Sequence, residues 1–217
     1  MNRPGPPTVL YLMGLAAQHA TAATLRVLVQ DPSGQPQPDA AVYAVPEQPI
    51  APEPGMKATI DQVGRRFVPR VSVIQTGTSV TFPNSDNIRH SVYSFSPAKT
   101  FVLKIYSGVP ASPVVFDKPG IVVMGCNIHD SMVAWVLVVD TPFFARTDGS
   151  GEAVLTNLPP GAYTLRAWSY TMRHEGAGER LQIRADANPP RLLHVEPDTP
   201  SPEDDVPMNE SMEGMLH

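Results

Sequence analysis

The sequence predicts an all-β protein made of two small β-sandwiches, and three observations carry that reading. The apolar runs are short, and many alternate with polar residues. Turn signals separate them at short intervals, in a chain with 15 Gly and 25 Pro among 217 residues. No stretch has the 3.6-residue periodicity of a long amphipathic helix.

The elements follow in chain order. Arg3, an apolar run over 9–17 and the small-residue site Ala20-Thr21-Ala22 form an export-signal pattern over residues 1–23, too short to span a bilayer. Residues 25–30 then alternate as a strand, Asp31-Pro32-Ser33-Gly34 turns the chain, and 40–45 form a second strand. A Pro-rich connector over 46–55 marks a boundary. Short strands are expected over 57–62, 67–74, 79–82, 91–95, 101–106 and 114–116, as in a sandwich. Asp117-Lys118-Pro119-Gly120 turns the chain into a strand over 121–124, and 133–139 form its partner. After Asp140 come a hairpin signal at Thr147-Asp148-Gly149-Ser150-Gly151, a strand entered through Leu158-Pro159-Pro160-Gly161, and a last strand over 179–184. From Asp186 the chain is Pro-rich and then acidic, which predicts a disordered tail over 186–217.

Between the strands over 121–124 and 133–139 lies Gly125-Cys126-Asn127-Ile128-His129-Asp130-Ser131-Met132. A thiol, an imidazole and a thioether thus meet on one turn. Upstream, the polar turn Asn84-Ser85-Asp86-Asn87-Ile88-Arg89 delivers His90 to the start of another strand. Two His, one Cys and a weak axial Met are the ligand set of a blue-copper site.

These residues resemble the cupredoxins. The His90-Ser91-Val92 segment after an Asn- and Asp-rich turn, and the later Cys-x-x-His-x-x-Met between two strands, are similar to plastocyanin and more so to amicyanin, which shares the short Met spacing. The resemblance covers roughly residues 56–140. Phe82-Pro83-Asn84, Phe95-Ser96-Pro97-Ala98-Lys99 and Gly125-Cys126-Asn127-Ile128-His129-Asp130 are similar to plastocyanin-like proteins associated with methylamine utilisation. The resemblance implies one type 1 copper ion held by His90, Cys126, His129 and Met132. It also implies a brace between the two ligand loops at Ser91, where plastocyanin has Asn. Asn84, Asp86 or Ser91 is expected to steady the His90 turn, and backbone N–H groups the sulfur.

The flanking segments resemble the carboxypeptidase regulatory-like, or transthyretin-like, sandwich. The Thr147-Asp148 hairpin and Leu158-Pro159-Pro160-Gly161-Ala162-Tyr163-Thr164-Leu165 supply its second half, and residues 25–45 its opening. The expected architecture is therefore a cupredoxin Greek-key sandwich over 55–140 inserted in, or packed beside, a regulatory-like sandwich formed by 24–46 and 141–185.

Cysteine and charge narrow the function. An exported chain with one Cys calls for a reason to keep a free thiol, and metal ligation supplies one. The net charge of −5 becomes −6 when Arg3 leaves with the signal, and Glu203, Asp204, Asp205, Glu210 and Glu213 place most of it in the tail. The body has no basic face for nucleic acid. Cys126 as a nucleophile with His129 as base lacks an orienting acid and an oxyanion hole, so the chain is not read as an enzyme. A multicopper oxidase or nitrite reductase needs further His clusters, whereas the mature chain has only His90, His129, His174, His194 and His217.

The expectation is a periplasmic single-electron carrier between redox proteins, such as a c-type cytochrome or a dehydrogenase, with no membrane span after signal removal. Electrons are expected to pass through His129 and an apolar surface that includes Ile128 and Phe144. The alternative is a binding module, copper-carrying or metal-free, that docks a partner or surface without redox turnover. Met208, Met212, Met215 and His217 in the tail raise the further question of weak copper scavenging.

Overall fold

The computed structural model describes residues 22–110 and 112–198. These residues form seventeen strands and their loops, with no helix among them and hence none long and apolar enough to cross a membrane. The signal reading and the tail Met cluster fall outside the described residues.

Strand β1 (Ala23–Gln30) buries every second side chain, Leu25, Val27 and Val29 among them, as a pleated strand with one covered face does. Asp31 Oδ1 accepts the N–H groups of Ser33 and Gln35, both at 2.9 Å, and so shapes the turn that leads toward β2 (Ala41–Pro46). After the Pro-rich connector come β3 (Lys57–Thr59), β4 (Asp61–Gln62), β5 (Phe67–Val68), β6 (Val71–Gln75) and β7 (Thr78–Thr81). Then follow β8 (His90–Ser96), β9 (Lys99–Tyr106), β10 (Val114–Phe116), β11 (Gly120–Gly125) and β12 (Val133–Val139). The chain closes with β13 (Phe144–Arg146), β14 (Glu152–Leu158), β15 (Gly161–Trp168), β16 (Glu179–Ile183) and β17 (Arg191–His194).

The central strands make a five-stranded sheet in the order β6-β12-β11-β8-β9 and a three-stranded sheet β10-β7-β3. Val80 and Phe116 of the smaller sheet share a core with Val92, Val122, Met124, Val136 and Val138 of the larger. The outer segments of the chain make β14-β1-β17 and β13-β2-β15-β16. Their core joins Leu25, Val27 and Val29 to Leu155, Leu158, Tyr163, Leu165 and Ile183. A third cluster unites Ala41, Tyr43 and Trp168 with Val71, Leu137 and Val139.

Strand β12 is therefore covered on both faces. Val136 and Val138 enter the core of the five-stranded sheet, while Leu137 and Val139 meet β2 and β15 in the third cluster. This explains why its sequence is an unbroken apolar run rather than an alternation.

The tail departs from expectation over its first part. Residues 186–217 read as disordered, yet β17 runs parallel to β1 from Val27↔Arg191 to Gln30↔His194. Val195 is fully buried, and its N–H donates to the Gln30 carbonyl at 2.9 Å. The strand is four residues long and follows Pro189 and Pro190, so composition concealed a short apolar alternation that β1 could pair.

Candidate metal centre

Strand register builds the site. The β11–β12 ladder ends at Gly125↔Val133, so residues 126–132 leave the sheet together as one loop. Within that loop the Met132 N–H donates to the His129 carbonyl at 2.9 Å. Strand β8 lies antiparallel to β11 with Tyr93 opposite Gly125, which brings Ser91 and His90 alongside Cys126. The approach is close: a Cβ on Gly125 would lie 2.8 Å from the Tyr93 hydroxyl.

Three of the four expected ligands converge. One ligand atom from each of His90, Cys126 and His129 lies within 4.8 Å of the others. The His90 Nδ1 faces Cys126 Sγ at 3.9 Å, and the two imidazole rings are 5.1 Å apart at an interplanar angle of 64°. Cys126 is a free, buried thiol and His90 is fully buried. The His129 Nδ1 is buried without a hydrogen-bond partner. An unpartnered imidazole nitrogen is costly to bury unless something occupies its lone pair. Met132 is 1% exposed and belongs to the same packed cluster as Cys126.

Around these side chains the structure is heavily cross-tied. Ser91 Oγ accepts the Asn127 N–H at 3.0 Å, points its own hydroxyl at Asn127 Oδ1, and lies 3.8 Å from Cys126 Sγ. Ser91 thus ties the segment that carries His90 to the loop that carries Cys126, as expected. Ser91 Oγ and His90 Nδ1 are neighbours of the sulfur, and among the described residues no backbone N–H bonds to it, unlike the expectation. Asn84, buried in the turn before His90, donates to the carbonyls of Ile88 and Tyr106 at 2.9 and 3.0 Å and accepts the Asp86 N–H at 3.1 Å.

Asp86 braces the His90 ring itself. Its Oδ2 meets His90 Nε2 at 2.8 Å and accepts the Arg65 N–H at 2.8 Å, and its Oδ1 accepts the Gly64 N–H at 2.6 Å. Burial opposes ionisation here, but the Arg65 N–H, the His90 ring and the Gly64 N–H outweigh it and hold the Asp86 carboxyl below its ordinary pKa. Gly64 and Arg65 were not picked out from sequence, since a tight turn between two two-residue strands leaves no apolar pattern.

Two tyrosines near the site remain phenols. Burial, and then the charges of Cys126 and Asp130, raise the Tyr93 pKa. Burial pushes Tyr106 up to about 12 against the lowering effect of its Gln62 hydrogen bond, with Asp61 and Cys126 adding to the rise. The Tyr106 hydroxyl donates to the Phe82 carbonyl at 2.7 Å.

Of the two apolar residues expected at a docking surface, Ile128 is 47% exposed. Phe144 is half-buried on β13, packed against the third cluster with Tyr43 opposite it. It serves the contact between sheets rather than an open face.

No family model and no curated protein matches the chain. Its neighbours among solved structures include cupredoxins, at low identity and partial coverage. A purple cupredoxin from Nitrosopumilus maritimus is 24% identical over 38% of this chain and 99% of its own, with a TM-score of 0.34. A variant of amicyanin is 18% identical over 45% of this chain and 98% of its own, with a TM-score of 0.34. A copper-containing nitrite reductase from Thermus scotoductus is 27% identical over 52% of this chain, which spans 28% of the reductase, with a TM-score of 0.35. At TM-scores this low, none of them assigns a ligand to this chain.

Proposed function

We propose that the chain is an exported single-electron carrier that binds one type 1 copper ion through His90, Cys126, His129 and Met132. The observation that carries this reading is a buried thiol with one ring nitrogen each of His90 and His129 gathered within 4.8 Å of it and of each other, in a setting where the buried His129 Nδ1 has no hydrogen-bond partner. Two imidazoles, a thiolate and a thioether fit copper, which in such a set exchanges one electron with little change of geometry.

The chain's own residues supply the rest. To hold copper, Cys126 would act as a thiolate and His90 and His129 would each offer a ring nitrogen free of its proton. The buried setting of His90 and Cys126 keeps water from the sulfur. His129, at the outer end of the loop, is the route by which an electron leaves. Ile128 beside it offers an apolar contact to a redox protein such as a c-type cytochrome or a dehydrogenase, in a brief and weak encounter. Ile128→Asp is expected to slow reduction by the partner while leaving the copper colour intact; an unchanged rate removes that surface from the reading.

The outer sheets are read as a regulatory-like sandwich into which the copper-binding unit is inserted. The pairing of β1 with β14 and of β2 with β15, across more than a hundred residues of intervening chain, supports this. Export to the periplasm rests on the N-terminal pattern, and the N-terminal residue of the secreted protein tests it: a start near Ala23 is expected, and retention of Met1 contradicts it.

Titration of the purified chain with Cu(II), beside Cys126→Ser, tests the metal directly. An intense visible band that saturates at one equivalent and vanishes in the variant is expected. A colourless protein with a freely titratable thiol overturns the copper reading and leaves a metal-free binding module.

A further inference from the structure

The tight turn over 63–66 is joined to the His90 ring through one carboxylate, that of Asp86. Residues 63–66 form a tight hairpin turn, with the Val63 N–H donating to the Arg66 carbonyl at 2.9 Å and the Arg66 N–H to the Val63 carbonyl at 3.2 Å. Gly64 and Arg65 both have positive φ, 60° and 57°, as a turn matched to the twist of its strands requires. The left-handed region suits Gly but is uncommon for Arg. Both amides of this turn point at the Asp86 carboxylate, which also meets the ring of His90.

We propose that Asp86 is the positioning residue of the metal centre: it fixes the His90 tautomer, fastens that ring to the 63–66 turn, and through the ring sets the balance between the two oxidation states of the bound copper. The last part rests on the copper reading given above.

The tautomer follows from donor counting. An ionised carboxylate only accepts hydrogen bonds, and a neutral imidazole carries one proton. With Nε2 at 2.8 Å from Asp86 Oδ2, that proton sits on Nε2, and the Nδ1 lone pair is left facing Cys126 Sγ at 3.9 Å. Two backbone amides stop the carboxylate from following the ring if it swings. The His90 side chain is 0% exposed and that of Asp86 13%, so water does little to replace any of these bonds.

The effect on copper follows from charge. A carboxylate bonded to the far side of a ligating imidazole makes the near nitrogen a stronger donor. A stronger donor favours the more highly charged ion, so Asp86 holds the reduction potential below the value an unbraced ring would give. Other ties keep the hairpin in place without it. Ser85 Oγ donates to Asp61 Oδ2 at 2.8 Å, and the Ser85 N–H to the Gln62 carbonyl at 3.1 Å.

The experiment uses the full-length mature chain, Asp86→Asn and Asp86→Ala, first metal-free and then loaded with copper. In the metal-free protein, nitrogen-15 shifts are expected to show His90 protonated on Nε2 alone, with a mixed population in Asp86→Ala and displaced Gly64 and Arg65 amide signals in both variants. In the loaded protein, Cu(II) affinity is expected to fall about 10–100-fold, with a smaller loss for Cu(I). The midpoint potential then rises, by about 59 mV for each tenfold difference between the two losses. Unchanged ring and amide signals together with an unchanged potential overturn the role of Asp86 while leaving the copper site standing. A wild-type chain that binds no copper overturns the redox part, and the metal-free spectra then still decide the positioning part on their own.

Discussion

At the scale of single residues, the site is a set of buried polar atoms whose bonds are accounted for one by one. His90 has its Nε2 on Asp86 and its Nδ1 toward Cys126, whereas His129 has a buried Nδ1 with nothing on it. That asymmetry is what a metal would resolve. Met132 belongs to the same setting but plays a different part. A thioether is a weak donor, so its removal changes the relative stability of the oxidation states more than it changes binding. Met132→Leu nearly conserves volume at a site 1% exposed, and the expected cost in stability is below about 1.5 kcal/mol. Its copper should stay bound and coloured with a raised midpoint potential in a redox titration; an unmoved potential would show that Met132 is packing alone. The cluster of His90, Cys126 and His129 was legible in the sequence because its residue types are rare and their order informative. The fastening of Asp86 to Gly64 and Arg65 was not, since it joins two turns more than twenty positions apart through backbone groups, and backbone amides carry no residue code.

At the scale of elements, two turns of the outer sheets repeat one device. Asp31 Oδ1 accepts the Ser33 N–H and hydroxyl and the Gln35 N–H, and Asp148 Oδ1 accepts the Ser150 N–H and hydroxyl and the Glu152 N–H. The Ser33 hydroxyl bond leads in lowering the Asp31 pKa, and the Ser150 hydroxyl bond in lowering that of Asp148. A carboxyl with a lowered folded-state pKa adds stability that is present above its unfolded value of about 3.8 and lost as pH falls through the folded value. Melting temperature is therefore expected to drop as pH is taken below that value, and to drop less steeply in Asp148→Asn. Identical acid profiles for the two proteins would contradict a role for that turn. Both turns were visible in the sequence as Asp-x-Ser-Gly between apolar runs. Strand β17 was not, because a four-residue edge strand after two prolines is specified by the partner it finds on β1 rather than by its own composition.

At the scale of the whole molecule, β12 joins the site to the rest. It begins at Val133, directly after Met132, and its two faces enter two different cores. The outer sheets thereby cover a face of the five-stranded sheet that would otherwise be wet. Leu137→Ala removes a fully buried side chain from the third cluster, and the expected cost is about 2–5 kcal/mol. Calorimetry should show one lowered transition if the two cores unfold together; a lone early transition, with the copper colour retained through it, would show that they do not. The all-β class was legible from turn density and short apolar runs, and the third cluster was not, since its members come from four separated stretches of chain. Whether the chain carries single electrons is decided by a redox titration of the copper-loaded mature protein, followed at its visible band. A band that bleaches on reduction and returns on oxidation along a one-electron curve, about 59 mV per decade, is expected. Copper that binds without such a band, or a band that does not return, would contradict that expectation.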